Sequence, residues 1–219
     1  MKTIAIASTL LMTAVTVVSA AENLVPLKLE LPKPRFIGTP TKVKLPHLEK
    51  PLGKARPDFM VPAGTTNISN NKTVTSSDDF PIIGELEMVT DGDKEGVDGS
   101  FVELGPLKQW VQIDLEKEST VACMVLWHYH TKPRAYIDVV VQFSNDPKFE
   151  KGVTTAYNSD HDNSSGFGKG TDGAYIETNE GRLIDTKGQS GRYVRLYSRG
   201  NTENEMNHYV EVEVYGKAK

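Results

Sequence analysis

Gln109-Trp110-Val111-Gln112-Ile113-Asp114-Leu115 alternates polar and apolar side chains. A period of two marks a half-buried β-strand. Successive side chains of a strand point to opposite faces, so Val111, Ile113 and Leu115 share one face. The same alternation recurs downstream in Ile137 to Phe143, in Arg192-Tyr193-Val194-Arg195-Leu196, and in Val210-Glu211-Val212-Glu213-Val214-Tyr215-Gly216. Val139, Val141 and Phe143, and then Val210, Val212 and Val214, are therefore expected to join Val111 in one core. Asp91-Gly92, Gly105-Pro106, Asn145-Asp146-Pro147, Gly181, Gly188 and Gly191 punctuate these phrases as turns. Residues Asp160 to Asp172 are dense in Asp, Asn, Ser and Gly and read as a long solvated loop. No stretch between the phrases sustains a helical period, so the expected class is all-β.

The order of these phrases, preceded by the acidic turn Thr90-Asp91-Gly92-Asp93 and the strand-like Val74-Thr75-Ser76-Ser77, resembles the discoidin, or coagulation factor 5/8 C-type, domain. The resemblance covers roughly residues 62–217. It implies a galactose-binding-like jelly-roll β-sandwich. It does not imply a ligand, because this fold carries lectins, lipid binders, protein binders and enzyme appendages. Many discoidin domains tie their termini with a disulfide. This chain has one cysteine, Cys123, so no intrachain disulfide can form. Cys123 sits in an apolar strand pattern, where a thiol behaves as a small hydrophobe.

Residues 1–20 read as a secretory signal peptide. Lys2 is the basic start, Ile4 to Val18 the apolar stretch, and Val18-Ser19-Ala20 puts small residues at the cleavage positions. The apolar stretch is short for a membrane span of about 20 residues, and no later segment qualifies, so a secreted or periplasmic location without a membrane span is expected. Seven of the 12 prolines fall between Pro26 and Pro57. Proline fixes φ and removes a donor, so residues 21–61 are expected to be an extended arm rather than a helix or central strand. Two readings stay open for it: a spacer, or a strap docked through Leu29, Leu31, Phe36, Ile37 and Leu45. The folded domain is placed at 62–219. The formal net charge is −4 and becomes −5 without Lys2. A mildly acidic chain with no Lys/Arg cluster is a poor partner for nucleic acid or an anionic membrane.

Asp91-Gly92-Asp93 sets two carboxylates two positions apart around a glycine that permits a tight turn. Ca²⁺ takes six to eight oxygens, mixing carboxylates and backbone carbonyls. The resemblance implies a structural calcium here, held by the Met88 carbonyl, Asp91, Asp93, Asp98 or Ser100, the Val210 carbonyl and Glu211. Tying an early loop to the last strand closes most of the domain where no disulfide exists. The alternative is an ordinary Asp-Gly turn with solvated acids.

Trp127-His128-Tyr129-His130 followed by Pro133-Arg134-Ala135-Tyr136 is the densest cluster of recognition-type residues. It joins two strand phrases and so forms a loop at one end of the sandwich. Imidazole, guanidinium and amide groups present directional donors and acceptors suited to sugar hydroxyls. By resemblance to sugar-binding members of the fold, His130 and Arg134 are candidate basic contacts. Glu103, Arg199, Asn201, Asn204, Asn207 and His208 are candidate rim residues, and Tyr129 or Phe101 the stacking ring. His128 and His130 with His208 offer a weaker transition-metal alternative. No nucleophile elbow, zinc-protease motif, phosphate loop or dinucleotide fingerprint occurs. The expected function is a non-catalytic, exported binding module for a glycan. The alternative is a structural or protein-interaction component docking through its arm.

Overall fold

A computed structural model describes residues 23–36 and 42–219. The signal-peptide expectation and Ile37 lie outside them. Among the described residues the chain forms β1 (Leu24–Pro26), β2 (Met60–Pro62), β3 (Thr66–Asn67), β4 (Val74–Ser76), β5 (Val102–Leu104), β6 (Gln109–Trp127), β7 (Val140–Ser144), β8 (Thr154–Asn158), β9 (Arg182–Asp185), β10 (Ser190–Ser198), β11 (Asn207–Tyr209) and β12 (Glu211–Ala218). The only helical element among them is a 3₁₀ turn at Leu86–Thr90.

The first phrase is the start of a strand 19 residues long, β6, that serves both layers of a sandwich. Its first part pairs antiparallel with β4 and β10, and β10 passes the sheet on to β7 and β8. Its second part pairs with β12 and β9, and β12 with β3. Between the two parts Glu116 takes a left-handed φ of 67°, and the β10 register shifts between Gly191 and Tyr193. Val111, Ile113 and Leu115 face the core before this point and Val121 after it, still on odd positions. The inward set changes to Met124 and Leu126 past Ala122, where the β12 register shifts between Tyr215 and Gly216; a one-residue bulge there reverses which side chains face inward. Val141, Phe143, Val194, Leu196, Val212 and Val214 close the same core. Each fully buried side chain of this size contributes about 1.5–3 kcal/mol.

Two expectations need correcting. The phrase from Ile137 is interrupted, because Asp138 adopts a left-handed φ of 53°. Ile137 exchanges backbone bonds with Gly200 and Arg199, and the continuous strand begins at Val140, with Val139 in the core as expected. Val210 lies between β11 and β12 and packs not in the main core but with Cys123, Val125 and Trp127. That second cluster occupies the outer face of β6, and Val61, Leu27, Leu29 and Phe59 cover it.

The cover comes from the proline-rich arm. β1 pairs with β2, the Leu48 segment bridges to Ala174, and Glu49 forms a two-pronged ion pair with Arg182 at 2.6 and 2.7 Å. Arg56 donates to the Gly181 and Glu180 carbonyls at 3.0 and 2.9 Å. Leu29 and Phe36 lie against the body of the protein, whereas Leu31 is exposed. The run Val121-Ala122-Cys123-Met124-Val125-Leu126-Trp127 is apolar at every position because both of its faces are covered.

Candidate ligand-binding end of the sandwich

β6 leaves one end of the sandwich at Gln109 and returns to that end at Trp127, so the flanking loops meet there. Tyr136 bridges to Asn201, Thr202 N donates to the Ala135 carbonyl at 3.0 Å, and Asn207 Nδ2 donates to the Gly105 and Leu107 carbonyls at 2.8 and 3.0 Å. The predicted residues Glu103, His128, Tyr129, His130, Arg134, Asn201, Asn207 and His208 all belong to this assembly. They divide into two sets by what their polar atoms already do.

Asn207 is fully buried and all its side-chain capacity is used, since Oδ1 also accepts from Ser198 Oγ and Gly200 N at 2.8 Å each. Asn201 is likewise satisfied within its own turn, accepting from Glu203 N and Asn204 N and donating to Asn204 and Met206. These amides shape the loop 199–206. His128 is fully buried, donates from Nδ1 to Glu177 Oε1 at 2.6 Å, and stacks on Tyr136 with ring centroids 4.1 Å apart. His130 is buried too, and its Nε2–H donates to the Lys94 carbonyl at 2.8 Å. His128 Nε2 and His130 Nδ1 keep no partner, but both nitrogens of His208 are engaged, and among the described residues these three histidines do not bring ligand atoms within 4.8 Å of one another.

His208 sits in a relay. Tyr136 Oη–H donates to Nδ1 at 2.8 Å, and Nε2–H donates to Glu103 Oε2 at 2.8 Å. Burial, then the nearby charges of Arg134 and His128, depress its pKa to about 3. The Glu103 carboxylate pulls the other way, but an Nδ1 that accepts from a tyrosine needs its lone pair, so the imidazole is neutral. Burial raises the Glu103 pKa and the charge of Arg134 opposes that rise.

Arg134 is the distinctive member. It is 5 % exposed, and its guanidinium lies 4.5 Å above the Tyr129 ring. Its Nε and Nη1 have no partner in the protein. Asp138, an acid at hand in the sequence, instead faces Arg199 at 3.8 Å. The ring of Tyr129 is held edge-on by Phe101, centroids 5.0 Å apart. Sequence reading missed Glu177, which braces His128 and whose N–H also donates to the Arg134 carbonyl at 2.8 Å. No local pattern marks it, because its partners lie more than 40 positions away.

The acidic turn is built as an interlocked pair of Asx turns. Asp91 Oδ1 accepts from Asp93 N and Asp93 Oδ1 from Glu95 N. Ser100 rather than Asp98 reaches the turn, its hydroxyl donating to Asp93 Oδ2 at 2.7 Å. Met88 belongs to the 3₁₀ turn that leads in, and Val210 N is held by the Trp127 carbonyl. Glu211 is fully buried. Its Oε2 accepts from Gly92 N at 3.0 Å, while Oε1 has no partner. Burial, with Glu213 and Asp91 as like charges, raises its pKa to about 8.

Among the described residues one group of three acids, Asp138, Asp160 and Asp162, brings carboxylate oxygens within 4.8 Å of one another and could hold a metal ion. The loop read as solvated is thus partly internal, because Asp160 is fully buried. Its two oxygens already accept from Ser164 N and Ser165 N, and Asp138 accepts from the hydroxyls of both serines.

No protein-family model matches the sequence, and no curated protein matches it. Solved structures do. A family 89 glycoside hydrolase from Clostridium perfringens superposes with a TM-score of 0.51 at 15% identity, over 70% of this chain and 15% of that one. The chain therefore spans a small part of that enzyme. A fucose-binding module from Streptococcus pneumoniae gives 0.48 at 18% identity, over 68% and 97% of the two chains. The CBM32 module of AlyQ, solved with 4,5-unsaturated mannuronic acid, gives 0.48 at 19%, over 65% and 92%. With strand order and core as described, the chain has the galactose-binding-like, or discoidin, β-sandwich fold.

Proposed function

We propose that the protein is an exported, non-catalytic module that binds a glycan at the loop end of the sandwich. Residues 1–20 are the export signal in this reading, 21–61 the arm, and 62–219 the sandwich. The observation that carries it is Arg134, a nearly buried guanidinium with two unpartnered nitrogens over the face of Tyr129. Those two nitrogens are themselves shut off from the surface, so in this reading a hydroxylated ligand meets the small exposed part of the guanidinium beside Tyr129, and an acceptor there offsets the cost of the buried charge. Tyr129 offers the ring for the apolar face of a sugar, and Glu103 an acceptor beside the donors. His208, Tyr136, His128, Asn201 and Asn207 hold these three in place, and His130 anchors the loop to Lys94. The likeness to a glycoside hydrolase solved with a disaccharide substrate, GlcNAc-alpha-1,4-galactose, is in keeping with this reading. Against catalysis stands the burial of the His128–Glu177 pair, which no substrate can reach.

A structural calcium belongs to the same proposal. Glu211 Oε1, buried and unpartnered, calls for a cation, and Glu211 is tied to the acidic turn through Gly92 N, so Asp91, Asp93, Ser100 and the Met88 and Val210 carbonyls are the oxygens that this reading assigns to the ion. Bound there, the ion would neutralise Glu211 and fasten the 88–100 loop to β12.

The test of the binding reading is a glycan array followed by calorimetry on the best ligand, with Arg134→Ala as the probe. Loss of a charged pair of hydrogen bonds predicts about 10- to 100-fold weaker binding. A wild-type protein that captures no glycan, or an Arg134→Ala variant that binds equally well, overturns it.

A further inference from the structure

We propose that the arm completes a second saccharide-binding cleft at the same end of the sandwich, beside the Arg134 surface. This inference rests on the glycan reading above and extends it from one contact surface to two. The cleft measures about 490 Å³, within the roughly 300–1,000 Å³ of small-molecule sites. Leu45 and Pro46 of the arm and Ile137 and Ala174 of the sandwich give it an apolar floor.

One wall is a pair of stacked imidazoles. His47 of the arm lies on His161 of the long loop, centroids 3.8 Å apart and planes 20° from parallel. The His161 ring is set by its Nε2–H, which donates to the Asp172 carbonyl at 2.9 Å, and the His47 backbone is held by Ala174 N, which donates to its carbonyl at 3.1 Å. The other wall is Asp138 with Arg199, 3.8 Å apart. Asp138 is aimed by the Ser164 and Ser165 hydroxyls at 2.6 and 3.2 Å, on a left-handed backbone of φ 53°.

The chemistry fits a neutral pyranose. An acceptor and a donor side by side match two adjacent hydroxyls, each of which donates and accepts. The apolar floor and the imidazole faces match the C–H face of a sugar ring. The carboxylates Asp138 and Asp162 outnumber the one guanidinium, which disfavours an acidic sugar. Because Leu45, Pro46 and His47 belong to the arm, the cleft exists only while the arm is docked.

The experiment is two-dimensional amide NMR of the calcium-loaded chain lacking residues 1–20. It is titrated separately with D-galactose, D-glucose, D-mannose and N-acetyl-D-glucosamine. Saturable shifts at Ser164, Ala174 and Arg199 support the cleft, and shifts at Glu103, Tyr129 and Arg134 report the first surface. Arg199→Ala, a half-exposed position, is expected to weaken the cleft response about tenfold, equal to about 1.4 kcal/mol. Asp138→Asn, which tolerates the left-handed backbone, is expected to do the same. Shifts at the first surface alone overturn the cleft and spare the earlier reading. Shifts at the cleft alone support the cleft and overturn the earlier reading. No saturable shift with any of the four sugars overturns the cleft, as does a cleft response that survives both variants undiminished.

Discussion

Acidification should weaken this fold through His208 in particular. In the folded protein the His208 pKa is about 3, against about 6.5 in an unfolded chain. The unfolded state therefore binds the proton first, and stability present above pH 6.5 is lost as pH falls. The shift of about 3.5 units, at 1.36 kcal/mol each, sets a ceiling of about 5 kcal/mol. Between pH 7 and pH 4 the same linkage takes away about 3 kcal/mol. Other groups also titrate in that range, so the informative quantity is a difference. His208→Gln keeps a donor toward Glu103 and an acceptor toward Tyr136 but cannot titrate. Urea unfolding of both proteins across this pH range should show the variant losing about 3 kcal/mol less than the wild type. Glycan binding by the folded wild type should hold from pH 7 to about pH 4 and fall only as pH approaches 3, where His208 takes up its proton beside Arg134 and disrupts the relay that holds Glu103. Equal acid sensitivity in the two proteins, or an imidazole that titrates above pH 6 by NMR, would refute the reasoning.

Other consequences are quicker to check. If calcium occupies the Glu211 turn, elemental analysis should find about one calcium per chain, and chelator should lower the melting temperature of the wild type but not of Glu211→Gln. Gly181 has φ 62°, and a Cβ there would stand 2.6 Å from the Trp127 ring; Gly181→Ala should cost about 2–4 kcal/mol in denaturant unfolding, from left-handed strain plus overpacking. Burial raises the Cys123 pKa to about 12, so a thiol reagent at neutral pH should label it only at the rate of unfolding; fast labelling of the native protein would show that the arm does not cover it.

The strand phrases were legible because alternation is a local consequence of one face being wet and the other dry. Val111, Ile113 and Leu115 declare their face without reference to any partner. The uninterrupted run Val121–Trp127 carried a further message, that something covers the outer face. The cover itself lies at Leu27, Leu29 and Phe59, about 60 to 100 positions earlier in the chain. The candidate site was legible as a cluster and not as roles. Asn207 and Arg134 look equally suited to a sugar in the sequence, and only their surroundings separate them: one has every polar atom satisfied, the other has two nitrogens left over.

By itself the sequence determined an all-β chain, the positions of its main strands, the oxygen-rich turn at Asp91-Gly92-Asp93 and the end of the sandwich where recognition residues gather. Each of these follows from side-chain period, turn chemistry or composition within a few residues. Tertiary structure alone decided that the proline-rich arm is a strap, that His208 is neutral between Tyr136 and Glu103, and that Glu211 keeps a bare buried oxygen. Those properties depend on burial and on partners remote in the chain, and no local pattern encodes either.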